Sequence, residues 1–294
     1  MTSITFTSAN ASVDIKSYIE SLVDDLTNPE HQRTIEKMIP SVSRNVGGTQ
    51  VTRPEILVSP GQKFDVSEVY PSYMISGQGV SYLDVVALTE HLLERGRQEG
   101  GVYNLHSSVV GLDDRCVVLH GASKCGKTLL SLELSQSYGL RFLSNERALI
   151  NLRESSLVGG CKALDLSNYH QEKFPNLRGK KELVLGEITS PKKIISIIQP
   201  IIDSGAYSPQ VISVSIQDAE WALYPEFTGR IRGDNRRLRG DSKQSLTYPL
   251  DSLDTKDLSI ERMKALQLFL SKTPVYFVRG SLPAISQFVL EKLR

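Results

Sequence analysis

Gly121-Ala122-Ser123-Lys124-Cys125-Gly126-Lys127-Thr128 is the stretch that decides the fold of this chain. The apolar run Cys116-Val117-Val118-Leu119 precedes it, and a stretch with Leu130 and Leu134 on one helical face follows, ended by Gly139. The pattern is G-x-x-x-x-G-K-[ST] between a predicted strand and a predicted helix, the context expected of a phosphate-binding P-loop. The motif arises by chance in roughly one chain in a hundred of this length, and its flanks lower that figure further. Its glycines let the backbone curl so that successive N–H groups converge on an anion. The helix start adds its positive end. Residues 121–128 are therefore the expected phosphate cradle, by number Gly121, Ala122, Ser123, Lys124, Cys125, Gly126, Lys127 and Thr128. Lys127 is expected to reach the β- and γ-phosphates and the Thr128 hydroxyl to ligate Mg²⁺.

Working outward, residues 105–110 and 115–120 read as a hairpin around Asp113-Asp114, in which Leu112 faces Arg115 and His106 comes level with Gly121. That register brings His106 to the cradle, as a functional group or as a strand histidine bonded to a carbonyl. His120, next to Gly121, reads as structural. After the helix, Leu140-Arg141-Phe142-Leu143 reads as a strand of a parallel sheet that ends at Asn145-Glu146. Carboxyl ends of such strands are where open α/β sheets place ligands. Glu146 can hold Mg²⁺ or take a hydroxyl proton, or else pair with Arg147 or Arg153. Asn145 can only exchange hydrogen bonds. Asp218, after the apolar run 211–216, is the alternative acid or a helix cap.

Further strands are expected at 147–152, 183–188, 211–216 and 275–278, and helices at 191–203, 259–271 and 283–293. Strand and helix alternate around the loop, so the fold class is α/β. Ahead of it, 13–39 reads as helical from Ile15, Ile19, Leu22, Val23 and Leu26, broken at Pro29 and ended by Pro40. Residues 41–82 read as loops and short strands, and 83–98 as an amphipathic helix stopped by Gly100-Gly101. The expected division is a smaller N-terminal region, 1–101, and a catalytic domain, 102–294. Arg230-Ile231-Arg232-Gly233-Asp234-Asn235-Arg236 is followed by the near-copy Arg237-Leu238-Arg239-Gly240-Asp241-Ser242-Lys243. This basic loop is either an anion-binding element, with Arg232 and Arg239 reaching substrate or nucleotide, or an Arg–Asp-paired surface.

The 294 residues carry 34 Lys and Arg against 33 Asp and Glu, a net charge of +1, and 40% are hydrophobic. This balance argues against a disordered chain and against a globally basic nucleic-acid binder. The basic loop also lacks the interleaved aromatics of a single-strand binder. No run approaches the roughly 18 apolar residues of a membrane helix, and Met1-Thr2-Ser3-Ile4-Thr5 does not read as an export signal. Cys116, Cys125 and Cys161 suit reduced thiols rather than a disulfide framework or a zinc site. A cytoplasmic location is the expectation.

The residues around the loop resemble the HPr kinase/phosphorylase-like family of P-loop kinases, related to phosphoenolpyruvate carboxykinase. The resemblance rests on Leu105-His106-Ser107-Ser108-Val109-Val110, with His106 fifteen positions ahead of Gly121, on the loop running into Leu129-Leu130-Ser131-Leu132-Glu133-Leu134, and on Gly139-Leu140-Arg141-Phe142-Leu143-Ser144-Asn145-Glu146-Arg147. It is specific over 102–152 and weaker to either side. Thr273-Pro274-Val275-Tyr276-Phe277-Val278 looks like the family's last strand. Where the family has Asp-Asp this chain has Asn145-Glu146, and the bifunctional enzyme's downstream signature is not visible.

The resemblance implies a P-loop kinase core with a mixed sheet, in a standalone kinase-like member. It would move the γ-phosphoryl of ATP, with Mg²⁺, to a hydroxyl of a small serine-like molecule or a peptide. His106 would support Glu146, and relatives are often homo-oligomers. GTP is also compatible with the loop, although a guanine-selecting Asn-Lys-x-Asp is not found. Thr255-Lys256-Asp257 is its nearest approximation. A non-catalytic nucleotide-binding regulatory module and a P-loop NTP hydrolase remain open alternatives.

Overall fold

The computed structural model describes residues 1–47, 54–62, 64–77, 79–206, 208–234, 237–238 and 248–294. The chain divides into two compact units, Met1–Val102 with Phe227–Ser259, and Tyr103–Glu226 with Ile260–Arg294. The second unit is thus interrupted. Residues 227–259 return to the N-terminal unit instead of staying in an unbroken 102–294 domain.

In the first unit β1 (Thr2–Ser8) and β2 (Ala11–Ser17) form a hairpin. Along β2, Ala11, Val13, Ile15 and Ser17 are buried and the residues between them are not. A helix from residue 13 is therefore corrected. Burial there has period two, and β-branched Val13 and Ile15 suit a pleated surface. The helical spacing begins only with α1 (Glu20–Thr27) and α2 (Pro29–Met38). Between these helices Asn28 accepts a hydrogen bond from the Glu30 amide and Pro29 takes the first helical turn.

Strands β3 (Val42–Val46), β4 (Glu55–Ser59), β5 (Asp65–Val69) and β6 (Ser72–Ser76) complete a sheet in the order β3-β1-β2-β4-β6-β5. Helix α3 (Tyr82–Glu99) starts at a Ser81–Asp84 capping box and buries Val85, Leu88, Leu92 and Leu93 in the same core. The fully buried Arg97 donates to Glu90 (2.8 Å), Glu94 (2.7 Å) and Ser8 (2.9 Å). Both carboxylates hold its guanidinium protonated against the cost of burial.

The second unit begins with β7 (Val102–Leu105), β8 (Ser107–Leu112) and β9 (Arg115–His120). The single strand expected over 105–110 is broken at His106. Strands β8 and β9 pair with Leu112 opposite Arg115 and Ser107 opposite His120. The two-residue turn has Asp113 at positive φ, which Asp tolerates. There follow α4 (Lys127–Tyr138), β10 (Arg141–Ser144), β11 (Ala148–Asn151), β12 (Ser156–Gly160), β13 (Ala163–Asp165), α5 (Asn168–Lys173), β14 (Glu182–Val184), β15 (Lys192–Ile202), β16 (Gln210–Ser213) and α6 (Ile216–Gly229). In the first unit β17 (Arg237–Leu238) pairs with β18 (Tyr248–Pro249). The chain ends with α7 (Lys256–Leu270), β19 (Val275–Gly280) and α8 (Leu282–Leu293).

The nine-stranded mixed sheet runs β10-β8-β9-β15-β12-β11-β7, with β19 added on β15 and β16 on β19. Strand β15 lies parallel to both β9 and β19. The helix expected at 191–203 is thus the sheet's central strand. Ile194, Ile197, Ile198 and Ile201 mimic helical spacing, but at the middle of the sheet residues 196–198 are buried in succession, on both faces, and the alternation is lost. Val110, Val117, Leu119 and Ile198 from the sheet pack with Leu130 and Leu134 of α4 and Ile285 and Val289 of α8. The chain is α/β. Among the described residues no helix is long and apolar enough to cross a membrane, and all three cysteines are free.

Candidate active site

Among the described residues strand β10 pairs with β8 alone, and antiparallel, so the parallel neighbour expected for it is corrected. Strand β9 is also antiparallel to β8. Strands β9 and β10 therefore run the same way and end at one edge of the sheet, the edge where β8 begins. The loop after β9, the turn after β10 and His106 before β8 meet there. They line one open cleft of about 570 Å³ with Lys127, Thr128 and Glu146 among its walls. A volume in the range of about 300–1,000 Å³ suits a nucleotide-sized ligand.

The loop turns at positive φ on Gly121 (139°), Lys124 (66°) and Gly126 (101°). At 126 a Cβ would also run into Ile202 Cδ1 on the neighbouring strand, so that side chain would have to move to admit it. Backbone of alternating handedness ahead of a helix forms an anion-binding concavity. Lys127 is 8% exposed, more enclosed than a loop lysine on the surface. Its Nζ donates to the carbonyls of Gly121 (2.8 Å) and Ala122 (3.0 Å). Carbonyl oxygens are weaker partners for an ammonium than phosphate oxygens are, so the cation sits ready to exchange them.

Thr128 Oγ donates to Asn145 Oδ1 (3.2 Å), which also accepts from Ser108 Oγ (3.0 Å). His106 Nδ1 lies 3.4 Å from Glu146 Oε2. The paired positions thus divide. Asn145, 3% exposed, turns to the loop threonine, whereas Glu146, its side chain 62% exposed, stands beside the histidine. The Arg147 amide bonds the Asn145 carbonyl at 2.7 Å around a Glu146 φ of 65°. This is the positive-φ γ-turn, a rare and strained form. Strain of this kind persists where the surroundings impose it and clusters at functional sites.

Burial pushes the His120 imidazole below its ordinary pKa, against the opposing pull of the hydrogen bond between its Nδ1 and the His106 carbonyl at 3.2 Å. Asp218 accepts from Ser215 Oγ (2.6 Å) and its amide donates back, so Ser215 caps α6, with Asp218 as its partner in the first turn, outside the cleft. Arg232 belongs to the other unit and pairs with Asp254 at 3.1 Å. Arg239 lies outside the described residues. Among the described residues no group of three or more His, Cys, Asp or Glu is placed as a metal site. Mg²⁺ commonly uses one or two protein oxygens plus phosphates; of the two expected ligands, the Thr128 hydroxyl is bonded to Asn145 and the Glu146 carboxylate lies beside His106, both on the wall of this cleft.

Sequence reasoning assigned no role to Ser108, Tyr169, His170 or Ile202. Two serines in the otherwise apolar strand start of β8 were a signal for Ser108. Ile202 was hidden by reading β15 as a helix, and Tyr169 and His170 carry no sequence signal.

No family model and no curated protein matches the chain. Among solved structures it is similar to the HPr(Ser) kinase/phosphatase from Coxiella burnetii, with 12% identity over 56% of this chain and 88% of that one and a TM-score of 0.24.

Proposed function

We propose that this chain is a nucleotide-dependent phosphotransferase that moves the γ-phosphoryl of ATP to a hydroxyl of a small serine-like molecule or a peptide. The observation that carries this reading is the meeting, at one sheet edge, of the loop 121–128 with a His106–Glu146 pair in the same cleft. The loop amides and Lys127 would hold the β- and γ-phosphates, with Lys127 trading the Gly121 and Ala122 carbonyls for phosphate oxygens. Thr128 and Glu146 would hold Mg²⁺, which when bound neutralises charge on the phosphate oxygens. Glu146 also orients the acceptor and takes its proton as the oxygen–phosphorus bond forms and the bond to the departing nucleoside diphosphate breaks. His106 steadies the carboxylate.

The test is nucleotide consumption with and without hydroxyl acceptors. Acceptor-dependent turnover is expected. Glu146→Gln should still bind ATP by calorimetry while transfer falls by roughly 10²-fold or more, and Lys127→Ala should lose ATP affinity. Unchanged ATP affinity in Lys127→Ala sinks the phosphate-cradle reading. Full turnover in Glu146→Gln sinks the assignment of the acid. A second reading, a binding module without transfer chemistry, is favoured by Asn145, because the group hydrogen-bonded to Thr128 is a neutral amide. ATP binding without turnover on any acceptor would select it.

A further inference from the structure

The cleft lining falls into two chemical sets. The loop, His106 and Glu146 are polar and answer to phosphates and a reacting hydroxyl. Leu129, Tyr169, His170, Ile201 and Ile202 are aromatic or apolar and have no part in the proposed chemistry. Tyr169 is the large open surface among them, 55% exposed at the second position of α5. Its ring meets His170 edge-on, at 6.1 Å between centroids and 61° between planes, so one face of the pair is not consumed by stacking.

The platform is held firmly. The Ser167 hydroxyl accepts from the His170 amide, and the Ser167 amide donates to His170 Nδ1, closing a capping box. Leu166, Phe174 and Leu177, on either side of the short helix, are buried in the core that contains α4. Burial lowers the His170 pKa. The neutral ring has Nδ1 engaged as an acceptor, so its proton sits on Nε2.

We propose that Tyr169 is the stacking platform for the nucleobase of the phosphoryl donor, an inference that rests on the P-loop reading above. A nucleotide beyond its phosphates is a sugar and a flat π surface, and aromatic stacking is the interaction that every base can make. Leu129, next to Thr128 in the chain, continues the cleft wall from the phosphate cradle into this aromatic and apolar set. Among the described side chains of this set, the Tyr169 hydroxyl and the His170 Nε2–H are the two that can read a base edge. Base selection is therefore weak, and the site accepts adenine and guanine nucleotides alike.

Calorimetry with ATP, GTP and inorganic tripolyphosphate, which keeps the phosphates and lacks the base, tests this on the full chain. Expected are ATP and GTP affinities within about fivefold of each other, and tripolyphosphate weaker than either by about tenfold or more, the scale of one base–aromatic stack. Tyr169→Ala should bring both nucleotides to the tripolyphosphate value and leave tripolyphosphate unchanged, while Tyr169→Phe keeps wild-type affinity. Unchanged ATP affinity in Tyr169→Ala overturns the platform, and does so equally if the variant instead raises the KM of the hydroxyl acceptor. Failure of wild type to bind either tripolyphosphate or ATP is a different result and defeats the phosphate-cradle reading itself. Tyr169 is exposed, so its replacement leaves the core of the unit intact.

Discussion

Glu146 carries two burdens that point in opposite directions. Its carboxylate faces His106 at 3.4 Å, and its backbone is held at a φ of 65° where an L-residue is uncomfortable. Glycine enters that region without the penalty. Glu146→Gly should therefore stabilise the protein by up to about 1 kcal/mol, the lower end of the cost of such strain, while losing transfer as fully as Glu146→Gln does. Thermal melts of the two variants beside wild type check this. A Glu146→Gly protein that melts lower would mean that the turn is not strained. The position resembling the family's paired acids was visible in the sequence, but its division of labour was not. Nothing in Asn145-Glu146 says that a γ-turn sends one side chain inward to Thr128 and the other outward to His106. That division follows from where β10 ends against β8, a tertiary fact.

Strand β9 delivers the loop and closes on His120, whose imidazole is buried against the His106 carbonyl. The unfolded chain takes up this proton near pH 6.5, whereas the folded protein resists it to lower pH. Between the two values the unfolded state binds more protons, so the contribution to stability is complete above about pH 6.5 and is lost as the pH falls below it. His170, also lowered by burial, adds in the same direction. Melting temperatures from pH 7.5 to 5 should fall for wild type and fall less steeply for His120→Asn. Equal slopes would remove His120 as the cause. The hairpin that holds this histidine was legible down to its register, because a two-residue turn between apolar runs fixes the pairing. The strands at 11–17 and 192–202 were not. Ile15 falls in register with Ile19 and Leu22 of the helical series that follows, and the isoleucines of 192–202 stand at intervals that a helix and a buried strand share, so only the neighbours on either side choose between them.

Three chain crossings, at 102/103, 226/227 and 259/260, tie the two units together. Helix α3 grips the returning segment by its backbone. His91 meets the carbonyls of Arg230 and Asp251, Arg95 donates to that of Leu253, and Gln98 to that of Phe227. Ile231, Leu238, Leu250 and Leu253 then complete the first core. Residues 1–102 made alone should expose the apolar surface these four cover and bind a hydrophobic dye without a cooperative melt, whereas 1–102 joined to 227–259 should melt cooperatively. A cooperative melt of 1–102 alone would show that the return is an accessory. The basic near-repeat within this segment gave no hint that two of its own residues, Ile231 and Leu238, are buried in the core, because its charges mask them. The same arrangement puts a clock on biosynthesis. Ribosomes add about 5–20 residues per second, so the part translated first must wait about 8–30 s for Leu253 before its interior can close. During that interval the core face of its sheet is left without the cover of Ile231, Leu238, Leu250 and Leu253, and a ribosome-associated chaperone should be found on it.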